Sequence, residues 1–442
     1  MISKDLANFI KKIKYSKLNK NVVDKVKCSF LDFFGVALRG SREKSGIIAF
    51  KSLYKKGKNS TVIGYGKSDE MTASLINGIF AHNTDLDDGH RNALMHPACT
   101  VIPAALSLAE KYNVIGKRFI EGIVCGYEVG IAIGISINPE HRERGFHTTG
   151  TCGVFAAAAA ASKVLNLKKN EIVNAIGLAG TQASGLLESD HAGTMAKHLH
   201  AGKAAQSGVI SAILAKNGFT GAKTILDGKE GFFNAYSTLD KISIIKRELG
   251  KFHIRNTYMK KYPVCRHLHS TLDSGESILK ELGIKKLDPN KVKKIIVETY
   301  EVAAQHNNYR PKTVEAVRQS LPVSLAILLY KGDLSLENLK EYERLESGVK
   351  KIIDKIIIKV DKSLDANKRP SKVCIEFKNR KIEKFTPIPR GEPENPFSKE
   401  DILKKFKKLN PEYPIKKLKI IDELEDIEVG ALMEELSWKQ EQ

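Results

Sequence analysis

Residues able to move protons or hold carboxylates gather in four short stretches, each leading into a helical segment. All twelve histidines lie between His82 and His306. In the first stretch Asp85, Asp87 and Asp88 follow Asn77 and precede His96-Pro97. Pro97 suits the first position of a helix, where a missing N–H goes unnoticed, so His96 falls at the positive end of that helix. An imidazole so placed tends to stay neutral and can exchange a proton with a bound acid. The bland alternative is that the aspartates cap helices and the histidine packs. The second stretch, 144–153, has small residues that let backbone amides approach a carboxylate, with His147 at the rim. Its glycines serve close helix packing equally well. In the third, 193–203, Lys197 stands among small and apolar residues. Partial burial would lower its pKa toward that of a working base, or leave it a cation pairing with an anion. The fourth, 260–270, carries Lys260, with Ser270 expected as a helix cap.

Metal chemistry reads poorly from these residues. The pairs His198/His200 and His267/His269 would point their rings about 200° apart on a helix. There is no His-Glu-x-x-His, and the single Asp-x-Asp-Asp run lacks the second run that two-ion sites use. Neither a Gly-x-Ser-x-Gly elbow nor a Gly-x-Gly-x-x-Gly loop after a strand is found. The six cysteines (Cys28, Cys99, Cys125, Cys152, Cys265, Cys374) form no Cys-x-x-Cys pair and read as buried residues in a reducing compartment. Neither metal nor cofactor is therefore expected.

Positioning such groups falls first to helices. Val23, Val26, Phe30, Phe33, Phe34 and Ala37 recur at helical spacing before Gly40, and similar stripes run through 73–80, 101–108 and 154–165. After about residue 255 β-branched runs of strand length appear (294–300, 355–360, 371–377), interleaved with helical pieces at 270–282 and 316–330. Prolines from Pro387 to Pro396 then punctuate the chain, and Ser398 opens a capped, lysine-bearing helix. The expected fold is mainly α with an α+β second domain. A large helical domain built from both chain ends, 1–254 and 388–442, would enclose an inserted α+β domain over 255–387.

The 442 residues carry 72 Lys plus Arg against 51 Asp plus Glu, a formal charge of +21, with 42% hydrophobic residues. That composition excludes a disordered polyelectrolyte and provides enough chain for a sizeable core. The charge is mostly lysine spread along the chain, without a nucleic-acid-binding motif, and aromatics are 7%. Neither nucleic acid nor membrane is an expected partner. No signal peptide is read at the N-terminus, and the apolar run 154–161 is too short to span a bilayer, so a cytoplasmic location is expected.

The Asn-Gly-x-x-Ala-His-x-x-Asp-x-Asp-Asp block with His96-Pro97, Gly145-Phe-His-Thr-Thr-Gly-Thr, Lys197-x-x-His-x-Gly, Gly218-Phe-Thr-Gly, Lys260-x-Tyr-Pro and Glu394-Asn-Pro resemble the MmgE/PrpD family. That family includes 2-methylcitrate dehydratase, cis-aconitate decarboxylase and iminodisuccinate epimerase. The resemblance runs in order from about residue 5 to 410. It implies metal-free chemistry on di- and tricarboxylates, a helical domain with an α+β lid, and a homodimer. By position it implies that Asp85, His147 and Lys197 are catalytic, and that His96 and Lys260 bind substrate. Gly89 stands where the dehydratase and decarboxylase branches carry threonine, and Val323 where they carry tyrosine. Loss of that hydroxyl weighs against decarboxylation, and His90 and Arg91 are candidate replacement groups for holding substrate.

What unites these reactions is a carbanion-like species beside a carboxylate, which needs a positioned base and cations that spread charge. The expectation is a hydro-lyase acting on a small polycarboxylate. The runner-up is an epimerase, which returns the same proton to the other face, and a decarboxylase comes after it. A non-catalytic basic scaffold is the alternative from another class, and its binding would weaken steeply with salt.

Overall fold

The computed structural model describes residues 1–237, 241–340 and 347–438. They separate into two compact units. One comprises 1–188, 195–258 and the segment from Ser398 onward, and the other comprises 189–194 and 259–397.

The first unit is helical. Lys20–Gly40 begins at Asn19, whose side chain accepts the Val22 N–H, and it buries the stripe Val23, Val26, Phe30, Phe33, Phe34 and Ala37. Lys399–Leu409 packs against it, with Phe406 and Phe34 stacked at 6.0 Å between centroids. That second helix opens with a reciprocal cap in which Asp401 N–H donates to Ser398 Oγ and Ser398 N–H donates to Asp401 Oδ2. At the centre lie Gly116–Ile137 and the alanine-rich Gly153–Val164, both almost wholly buried.

Gly116–Ile137 is an apolar helix that the run 154–161 did not point to. At 22 residues it is long and apolar enough to cross a membrane, a stretch longer than 154–161. Its apolar window is 89% buried inside the unit, so it serves as a core helix.

Glu70–His82 and Ala196–Lys216 meet at a glycine contact. A Cβ at Gly202 would lie 2.3 Å from the Leu75 carbonyl oxygen, and one at Gly78 would lie 2.6 Å from Gly202 Cα. Only glycine lets the two backbones come this close, and these helices carry His82 at one end and Lys197 at the other.

The second unit is α+β. Its sheet runs in the order Ile356–Val360, Val292–Thr299, Ser371–Phe377, Lys381–Thr386, with the first pair parallel and the rest antiparallel. Val292–Thr299 is central and buries Ile295 and Val297 against His269–Glu281 and Leu321–Lys331 through a continuous apolar core. Two local expectations shift here. The helix expected over 316–330 starts only at Leu321, because the Ser320 hydroxyl caps the Val323 N–H and Pro322 fits the first turn. Ser270 lies within the first turn of its helix, and its hydroxyl donates to the Arg369 carbonyl at 2.5 Å.

Candidate active site

The loop after Glu70–His82 brings the acidic run into the helical unit. Asp85 adopts a left-handed backbone, φ 55°, which aspartate tolerates better than most residues. Its carboxylate faces Lys197, with Nζ 3.5 Å from Oδ1 and both side chains largely buried. Lys197 occupies the first turn of Ala196–Lys216, an unfavourable place for a cation, so the ion pair with Asp85 offsets a local cost. The loop is tied down from the far end of the chain. Lys405 Nζ donates to the Leu86 carbonyl at 2.8 Å and pairs with Asp32 at 2.7 Å.

Imidazoles surround this pair. His82 Nδ1 is 2.7 Å from Asp87 Oδ2, while its Nε2 is buried with no hydrogen-bond partner among the described residues. His96 Nδ1 is 2.6 Å from the Asp88 carbonyl, which can only accept, so Nδ1 carries a proton and Nε2 is the nitrogen that this bond leaves available to a ligand. The His96 backbone N–H donates to Thr149 Oγ1. The His82 ring lies 5.2 Å from that of His96 and 5.7 Å from that of His147, stacked on the latter.

His147 is fixed by its backbone, whose N–H donates to the Gly185 carbonyl ahead of the short helix Thr148–Thr151. Its Nδ1 is 3.0 Å from Nδ1 of His200. Burial holds its pKa well below the ordinary imidazole value, and the positive potential of His82, Lys197, His200 and His96 adds to this. A neutral imidazole among other nitrogens is thus available to accept a proton.

Asp88 supports the group from behind. Its Oδ1 accepts the Ala98 N–H at the start of Ala98–Lys111, and its Oδ2 accepts the Tyr127 hydroxyl at 2.8 Å. Burial pushes its pKa up to about 7, against the pull of those two donors.

Asp85, His96, His147 and Lys197 therefore share one neighbourhood. His90 is buried in the same unit, its backbone N–H donating to the carbonyl of Met95, the neighbour of His96. It pairs with Thr257 in a two-residue ladder, its Nδ1 accepts the Ala93 N–H, and its ring meets His253 edge-on at 5.4 Å. Arg91 follows it, half-buried. Lys260 belongs to the α+β unit and is 1% exposed there. His82, Thr149 and Tyr127 were missed by sequence reasoning, and His200 was weighed only as a metal ligand. His82 lies inside a quoted block and could have been found by type. Tyr127 sits on an apolar helix where nothing distinguishes it from core.

His82, Asp87 and His96 bring their ligand-type atoms within 4.8 Å of one another, a group large enough to hold a metal ion. The Nδ1 atoms of both histidines are already engaged at 2.6 to 2.7 Å with Asp88 and Asp87, so an ion bound through them would replace both hydrogen bonds. The other histidines weighed for metal each have a different neighbour: His198 Nδ1 meets Ser45, His200 meets His147, His267 meets Tyr300, and His269 meets Arg266. A cavity of about 590 Å³ opens elsewhere in the helical unit, lined by Cys28, Leu31, Leu403 and several lysines, and none of the site residues lines it.

Comparison with known proteins places the chain as a whole. The MmgE/PrpD N-terminal domain model matches residues 4–245 and the C-terminal domain model matches residues 262–426. A cis-aconitate decarboxylase-like protein of Aspergillus oryzae is 26% identical over 441 residues, 92% of this chain and 90% of the relative. The human cis-aconitate decarboxylase is 25% identical, covering 97% of this chain and 92% of the relative. The enzyme of that name from Aspergillus terreus is 26% identical over 77% of this chain and 74% of its own. Matched across both of its domains and sharing its sequence blocks, the chain belongs to the MmgE/PrpD family.

Proposed function

We propose that this protein is a lyase that moves a proton at a carbon next to a carboxylate of a small di- or tricarboxylate, using side chains alone. The observation that carries the reading is the buried, neutral His147 beside the Asp85–Lys197 pair. A neutral imidazole takes the α-proton, and the Lys197 ammonium stabilises the carboxylate-conjugated anion that results. Asp85 holds the Lys197 ammonium and positions the departing water, the proton taken by His147 passes to the hydroxyl as it leaves, and His96 Nε2 is placed to bind a substrate carboxylate when protonated. In the hydro-lyase reading the C–H and C–O bonds break, and water and an unsaturated acid form.

Decarboxylation is the second reading, favoured by the names of the relatives at 24 to 26% identity. Val323, wholly buried in the α+β unit, offers no hydroxyl to donate a proton to the carbanion left when carbon dioxide departs, and this weighs against decarboxylation without by itself selecting the hydro-lyase. Incubation with citrate, methylcitrate and cis-aconitate in heavy water, followed by proton NMR, decides. An unsaturated acid formed from a hydroxy acid with no carbon dioxide evolved supports the hydro-lyase. Carbon dioxide release from cis-aconitate supports the decarboxylase. Deuterium exchanged into substrate or its epimer alone supports an epimerase. No turnover or exchange on any polycarboxylate overturns the proposal.

A further inference from the structure

Four of the six cysteines, Cys99, Cys125, Cys152 and Cys374, are buried, and two, Cys28 and Cys265, are partly exposed. The two exposed thiols differ in their surroundings. Cys28 lines the lysine-rimmed cavity, and burial holds its thiol above the ordinary range. Cys265 instead sits beside an oriented base.

Cys265 precedes the single turn Arg266–Leu268, and its backbone N–H donates to the Arg318 carbonyl at 2.9 Å. Its Sγ lies 3.6 Å from His306 Nε2. On the far side of that ring, His306 Nδ1 is 3.0 Å from the Gln319 carbonyl. A carbonyl only accepts, so Nδ1 carries the ring proton and Nε2 presents its lone pair to the thiol. Thiol, imidazole and orienting acceptor in line form the arrangement that activates a sulfur nucleophile. The neighbours reinforce it. The His267 ring stacks on His306 at 5.7 Å and its Nδ1 meets the Tyr300 hydroxyl. Arg266 is adjacent, its guanidinium held by Glu392 and the Arg390 carbonyl. Burial alone would lower the His306 pKa, yet the nearby Cys265, the Gln319 carbonyl and the charge of Asp190 leave it raised. Cys265 also packs against the apolar core of this unit, and its sulfur meets an oriented base besides.

We propose that Cys265 and His306 form a reactive thiol–imidazole pair and that Cys265 is a modification site for small disulfides. The thiol proton passes to His306 Nε2, and the thiolate attacks one sulfur of the incoming disulfide. A new S–S bond forms to Cys265 as the old one breaks, and the departing thiolate takes the proton back from His306. One disulfide is consumed and one is made.

The test uses the full-length C28S variant and dithiobis(nitrobenzoate), whose released thiolate is coloured. One fast equivalent is expected, mapped to Cys265 by mass spectrometry and absent in the C28S/C265S double variant. Its rate should change less than about threefold from pH 6 to 8, whereas an unassisted thiol loses about tenfold per unit below its pKa. C28S/H306Q should be about tenfold slower at pH 6 and recover the steep slope. A fast equivalent that is missing, or that follows the ordinary steep slope in C28S itself, overturns the proposal whether or not the H306Q protein folds.

Discussion

The Nδ1 atoms of His147 and His200 stand 3.0 Å apart, so one proton lies between them and the two rings cannot share the same tautomer. Whichever ring donates leaves its partner's Nδ1 as the acceptor, and the positive character of His200 helps hold His147 neutral. Removing His147 should lower turnover by about 10²- to 10⁴-fold. His200→Ala should cost less and should move the acid limb of kcat/KM to higher pH, because the His147 pKa rises when a neighbouring positive group is lost. Both follow from pH–rate profiles, and an acid limb that stays put or moves down in H200A contradicts the pairing.

The charge and the backbone of Asp85 can be separated. Asparagine tolerates the left-handed conformation, so Asp85→Asn keeps the loop and removes the carboxylate. Because the largely buried Lys197 ammonium then lacks this counter-charge, a loss of about 1 to 3 kcal/mol in stability is expected, with kcat of the folded protein reduced about 10²- to 10³-fold. Lys197→Ala should give a loss of similar size, and the double variant should cost far less than the product of the two, as for groups acting as a unit. Full multiplication in the double variant would falsify the coupling.

Glycine at 202 sets the spacing of the helices that carry His82 and Lys197. A methyl group there would meet the Leu75 carbonyl oxygen. Gly202→Ala should destabilise the protein by about 1 to 3 kcal/mol in chemical denaturation, through overpacking. Activity should fall by more than the unfolded fraction accounts for.

Asp88 should tune stability with pH. Its folded pKa, about 7, lies above the unfolded value, so the folded state binds the extra proton between about pH 4 and pH 7. Its contribution is full below the unfolded pKa and is lost as pH rises through 7. Asp88→Asn should flatten that part of the stability curve relative to the parent, with the largest relative gain at pH 8. Thermal midpoints from pH 4.5 to 8.5 measure this, and parallel curves would rule it out.

Much of the fold class was legible because its signals are local. The spacing of Val26, Phe30, Phe33 and Ala37 reports one buried helical face, and the β-branched runs at 294–300, 355–360 and 371–377 fall on the strands Val292–Thr299, Ile356–Val360 and Ser371–Phe377. Lys381–Thr386 was not read as a strand, since its two apolar residues, Ile382 and Phe385, lie three positions apart and give no two-residue alternation, as an exposed edge strand can tolerate. Among site residues, those with conspicuous chemistry at loop positions could be picked out by type. Tyr127 and Thr149 act through contacts 39 and 53 residues away, and no local pattern records such distances.

The bond from Lys405 to the Leu86 carbonyl joins residues 319 positions apart. On a ribosome adding roughly 5 to 20 residues per second, the loop bearing Asp85 emerges about 15 to 65 seconds before the lysine that clamps it. Until then a nascent chain holds its acidic loop without that anchor and without the Asp32 counter-ion. The helical unit consequently finishes maturing only after translation has passed through the whole intervening α+β unit.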